Sequence, residues 1–69
     1  MKLIVTEASI RAEKYLRKVA EEEGLAIYDN EKDSNIFLTG EDEHTLELLE
    51  EEIKRDLYEG FDYDAIYLE

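Results

Sequence analysis

The tightest constraint on this chain is a narrow apolar stripe inside an acidic segment. Leu46, Leu49, Ile53 and Leu57 recur at i, i+3, i+7 and i+11, which is one face of a helix with 3.6 residues per turn. The spacing predicts a helix over residues 41–59. Thr39 or Asp42 stands where an N-cap belongs, and Glu41, Asp42 and Glu43 bring carboxylates to the positive end of the helix dipole. Gly60 stands where a left-handed residue closes a helix. Glu50–Lys54 and Glu51–Arg55 are i,i+4 pairs in the favourable order. Such a stripe needs a second layer to cover it.

The rest of the chain supplies that layer. The β-branched run Lys2-Leu3-Ile4-Val5-Thr6 is apolar on both faces, as a central strand is. A first helix follows from about Ala8 to Glu23, with Ala8 or Ser9, Ala12, Leu16, Val19 and Ala20 as its inner face and Gly24 as its stop. Its bases Arg11, Lys14, Arg17 and Lys18 are spaced to pair with Glu7, Glu13, Glu21 and Glu22. Leu25-Ala26-Ile27-Tyr28 and Asn35-Ile36-Phe37-Leu38-Thr39 are strands around the polar turn at residues 29–34, and so read as a hairpin. Residues 61–68 form the last strand. Its parity is confused, because Phe61 and Tyr63 share one face and Ile66 and Leu68 the other, so its regular part begins near Asp64 or a bulge intervenes.

The order β-α-β-β-α-β matches the ferredoxin-like plan, an α+β fold with a four-stranded antiparallel sheet and two helices on one face. Right-handed crossovers put the first and third strands in the centre. Residues 1–69 then make a single domain with a small core. If Leu3, Val5, Leu25, Ile27, Ile36 and Leu38 face the helices, then Ile4, Tyr28, Phe37 and Tyr67 face outward on the uncovered side. An aliphatic and three aromatics on one open face suit a homodimer or partner surface.

Charge narrows the function. The chain carries −12 in 69 residues. Residues 36–69 hold twelve acids against two bases and residues 1–35 eight against six, so the charge sits in the C-terminal half. That argues against direct binding of nucleic acid or an anionic membrane and for a basic partner. The start of the chain turns polar too early for a signal peptide, and no run approaches membrane-spanning length, so a soluble, cytoplasmic protein is expected. Without cysteine there is no disulfide, iron–sulfur cluster or thiol nucleophile.

No catalytic or metal constellation emerges, so we expect no enzyme, no cofactor and no metal. His44, the single histidine, lies in the first turn of the second helix, and Ser9 and Ser34 lie in no nucleophile motif. Asp29, Glu31 and Asp33 alternate like the start of a calcium loop, but Ser34 replaces the glycine and Gly40 the bidentate glutamate. There is no phosphate-binding glycine loop. A heavy-metal-binding domain of this topology would need a cysteine pair. An RNA-recognition module would surround its sheet aromatics with Lys and Arg, where this chain has Asp and Glu. An amino-acid-sensing regulatory domain shares the topology and stays open.

The outer face of the second helix is the sharpest signal. Glu43, Glu47, Glu50 and Glu51 line it, with Asp62 and Asp64 just beyond. Glu21, Glu22 and Glu23 sit at the C-terminal end of the first helix, where the dipole disfavours carboxylates, and Glu50, Glu51 and Glu52 stack further like charge. A solubilising surface would not require these costs. Carboxylates at i,i+4 lie about 6 Å apart, close to the spacing of phosphates along a nucleic-acid strand. In size, charge and lack of catalytic parts the chain resembles the small acidic phage-encoded inhibitors, including anti-CRISPR proteins and other DNA mimics. The resemblance lies in the character of the whole chain and in no motif. It implies a viral inhibitor, acting in the host cytoplasm, that binds a basic nucleic-acid-binding protein by charge mimicry. The alternatives are a dimerising, antitoxin-like or regulatory module that uses the open sheet, and a designed protein without function.

Overall fold

A computed structural model describes residues 1–30 and 32–69. It contains β1 (Lys2–Val5), α1 (Ile10–Glu23), β2 (Ala26–Asn30), β3 (Asn35–Thr39), α2 (Glu43–Asp56) and β4 (Ile66–Leu68). The strands form one sheet in the order β2-β3-β1-β4, with every neighbouring pair antiparallel. This is the ferredoxin-like order, with β1 and β3 central as expected. The helix-side core joins Leu3, Val5, Ile36, Leu38 and Ile66 of the sheet to Ala12, Leu16 and Ala20 of α1 and Leu46, Leu49 and Ile53 of α2, with Leu57 and Tyr63 at its end. All four residues of the α2 stripe are buried. Leu25 and Ile27 are only partly covered, because β2 is an edge strand.

Helix α1 is bounded by local chemistry. The Ser9 hydroxyl accepts from the Ala12 amide at 3.0 Å and caps the start. Gly24 takes φ 68°, while the Leu25 amide reaches the Ala20 carbonyl at 2.8 Å and the Gly24 amide the Glu21 carbonyl at 3.4 Å. This is the Schellman pattern, which favours glycine at the left-handed position. At the start of α2 Asp42, rather than Thr39, is the cap. Its carboxylate accepts from the His44 amide at 3.0 Å and the Thr45 hydroxyl at 2.9 Å. The Thr45 hydroxyl, and then the His44 amide, hold the Asp42 carboxyl below the usual range.

The end of α2 departs from the sequence reading. The helix stops at Asp56, Leu57 is extended, and Gly60 with φ 84° belongs to a later turn. Asp62 is the cause. Its carboxylate accepts from the Tyr58 amide at 2.9 Å, and its own amide returns to the Tyr58 carbonyl at 2.7 Å. The amide that would have continued the helix is thus taken by a side chain, and buried Leu57 plugs the core beside it.

The same turn shortens the last strand to Ile66–Leu68. Before it, the Asp64 amide reaches the Thr6 carbonyl at 2.9 Å and the Ala65 amide reaches the Thr6 hydroxyl at 2.9 Å, so a side chain interrupts the ladder. Phe61 and Tyr63 do not share a face: Tyr63 is in the core and Phe61 is 76% exposed. At the other edge β2 runs two residues past Tyr28, to Asn30.

Candidate functional site

The helix layer presents the acidic face. Glu43, Glu47 and Glu51 are exposed on α2, and Asp64 is exposed beyond it. Glu50 is partly covered and lies 3.9 Å from Lys54. The fold adds carboxylates from α1. Glu22 and Glu23 line a groove between the helices opposite Glu52 and Asp56, with Val19 and Leu49 also lining it. Glu23 also borders a second depression with Leu48, Glu51, Glu52 and Arg55. The Tyr15 hydroxyl bridges the helices by donating to Asp56 Oδ2 at 2.6 Å. Burial, reinforced by this bond to a carboxylate, pushes the Tyr15 phenol well up.

The row that follows from α2 alone is therefore incomplete. Glu22, Glu23, Glu52 and Asp56 border the same surface, and the sequence signal for them was the acid run at the unfavourable end of the first helix. Bases reach this face as well, since Lys18 and Arg55 line the two depressions.

Asp62 leaves the acidic face altogether. Its side chain is 0% exposed, and Arg11 clamps it through Nε to Oδ1 at 3.1 Å and an η nitrogen to Oδ2 at 2.8 Å. The Ser9 hydroxyl donates to Oδ1 at 3.3 Å, and the Ser9 amide reaches the Asp62 carbonyl at 2.8 Å. The guanidinium, and then the Tyr58 amide, hold this carboxyl below its usual range against the cost of burial. Sequence spacing pairs Arg11 with Glu7, but the tertiary fold gives it to Asp62. A buried carboxylate that accepts four hydrogen bonds, two from Arg11, one from Ser9 and one from the Tyr58 amide, is a structural hub joining the α1 cap to the 57–64 turn, and it is closed to a partner. Of the intrahelical pairs expected on α1, Arg17–Glu13 forms at 2.8 Å, and Arg17 also reaches Asp29 at 3.4 Å.

The open sheet face carries the four expected residues in one row. Tyr28 pairs with Phe37, Phe37 with Ile4, and Ile4 with Tyr67. Tyr28 is 59% and Tyr67 44% exposed, while Ile4 is only 3% exposed. Ile4 is thus not an exposed contact. It stands between two aromatic rings at cross-strand distance, which shield it, and it lies outside the helix-side core. The Lys2 ammonium sits 5.6 Å from the Phe37 ring centre, within cation–π range.

His44 is exposed and Ser9 serves as a cap. Among the described residues no group of three His, Cys, Asp or Glu could hold a metal ion. Of the calcium-like alternation, Glu31 lies outside the described residues; Asp29 faces Arg17, and Asp33 accepts from the Asn35 amide. Among the described residues no helix is long and apolar enough to cross a membrane. Compared with protein-family models, with curated proteins and with solved structures, the chain matches none.

Proposed function

We propose that this protein is a non-enzymatic acidic binding protein that docks onto a basic nucleic-acid-binding protein and inhibits it by occupying its nucleic-acid channel. The observation that supports this reading is the convergence of carboxylates from both helices. Glu43, Glu47 and Glu51 form an exposed row, and Glu22 and Glu23 face Glu52 and Asp56 across the inter-helix groove. Each helical turn advances the row by about 5.4 Å, so its charges can replace phosphates on a Lys/Arg-lined track one for one. The apolar floor of Val19 and Leu49, with exposed Leu48 beside it, would give the contact short-range specificity. An anti-CRISPR-like role is one form of this function.

The test is an affinity capture from nuclease-treated bacterial lysate with a salt-gradient elution. One dominant nucleic-acid-binding protein, released by salt and displaced by added DNA or RNA, is expected. Its retention should fall when Glu43, Glu47 and Glu51 are changed together to Gln. Binding that ignores salt, or that nucleic acid does not displace, would refute the mimicry.

A further inference from the structure

The open sheet face differs from the rest of the molecule in charge, and this determines what can cover it. Its outward positions form three rows of four. One is Ala26, Thr39, Lys2 and Glu69, the middle one is Tyr28, Phe37, Ile4 and Tyr67, and the third is Asn30, Asn35, Thr6 and Ala65. Two of these twelve residues are charged, Lys2 and Glu69, and they are of opposite sign. These twelve positions thus carry net charge zero on a chain of net charge −12, with Glu7, Asp33 and Asp64 at the rim beyond the third row. A basic partner gains nothing from these rows, and a nucleic acid meets a single ammonium already placed over the Phe37 ring.

We propose that the occupant is a second copy of this chain, stacked sheet to sheet across a two-fold axis along the aromatic row. Such an axis lays Tyr28, Phe37 and Tyr67 on their own copies, with buried Ile4 between the rings. It also sets the row that holds Lys2 and Glu69 against the uncharged row of Asn30, Asn35, Thr6 and Ala65, so Lys2 does not meet its own copy, nor Glu69 its own. The Cα extents of 27 × 23 × 21 Å give a face a projected area of about 480–620 Å², which is the size of a weak interface of about 600 Å² or less per partner. The acidic helices lie on the far side of each sheet. Facing layers are about 10 Å apart, so the two acidic faces are separated by well over a Debye length of about 8 Å at physiological salt. The dimer presents both acidic faces outward, and two copies would offer a basic partner twice the acidic surface.

The inference stands apart from the charge-mimicry reading, because salt moves the two in opposite directions. Contact between neutral faces of like-charged chains strengthens as salt screens their repulsion, whereas docking onto a basic protein weakens. Sedimentation equilibrium of the purified chain from about 10 μM to about 1 mM brackets a weak dimer, and runs at about 0.05 and 0.5 M NaCl span the screening range. We expect a monomer–dimer equilibrium that tightens several-fold at the higher salt and is lost in Phe37→Glu. Tyr67→Glu, at a half-exposed site on the edge strand, gives the same readout should Phe37→Glu fail to melt cooperatively. A monomer at all concentrations, a dimer weakened by salt, or a dimer that survives a folded row variant (as pairing through the β2 edge would) overturns the proposal.

Discussion

The α1 acid run offers a direct test of whether this fold carries its charge at a cost. Glu21, Glu22 and Glu23 occupy the last turn of α1, which has no basic residue. A carboxylate at a helix C-terminus faces the negative end of the dipole, an effect of about 0.3–1 kcal/mol per charge at low salt. Glu22 and Glu23 also line the groove that holds Glu52 and Asp56, which adds repulsion. Lys18 and Arg55 border the same depressions and offset part of it. The double change Glu22→Gln, Glu23→Gln is therefore expected to stabilise the fold by about 1 kcal/mol, toward the lower end of the summed dipole effects. In a domain of this size that is a rise in Tm of about 4–8 °C. Urea unfolding should show a higher midpoint with an unchanged slope. The gain should vanish near 1 M salt, where the Debye length is about 3 Å. A variant of unchanged or lower stability at low salt, or a gain that persists at high salt, would refute the claim that these carboxylates strain the fold. A stabilised variant that also loses a salt-eluted partner would tie the strain to binding.

Three further expectations rest on single features. Gly24→Ala should cost about 1 kcal/mol in urea unfolding, since the left-handed backbone penalises any Cβ and no atom lies within 4 Å of the added carbon to contribute packing. The Asp62 carboxyl is held below its unfolded value, so its contribution is present above that value and is lost as pH falls through the folded one. Tm should therefore drop below about pH 4 in the natural chain, and Asp62→Asn should start lower at neutral pH and fall less steeply on acidification. Tyr15 and Tyr63 are both pushed up, by burial first and then by nearby carboxylates. An alkaline titration followed at the phenolate absorbance should thus show a late step that shrinks in Tyr15→Phe.

The α2 stripe and the order of elements were legible because each depends on residues close in sequence. Periodicity reports which face of a helix is buried, and the parity of β1 and β3 reports which side of the sheet meets the helices. The strand order, the α1 limits near Gly24 and the aromatic row all follow from those patterns. The α2 cap was narrowed to Thr39 or Asp42, because caps act within three residues, and the fold chose Asp42.

What the sequence left open involves partners distant along the chain. Arg11 and Asp62 are separated by 51 residues, and in a segment so rich in carboxylates nothing local marks Asp62 as the one that goes inside. Only the folded sheet, which brings the 57–64 turn against the start of α1, makes a buried carboxylate worth its desolvation by supplying a guanidinium, a hydroxyl and an amide together. That arrangement ends α2 at Asp56, moves Gly60 into a separate turn and shortens β4. It also removes Asp62 from the acidic face. Tertiary structure likewise brings Glu22 and Glu23 opposite Glu52 and Asp56, and shields Ile4 between two rings. The sequence by itself determined the layers and the sign of the surface. Which charges reach solvent and which are neutralised inside was decided by contacts that exist only once the layers have met, because both Coulomb attraction and desolvation depend on distance in space.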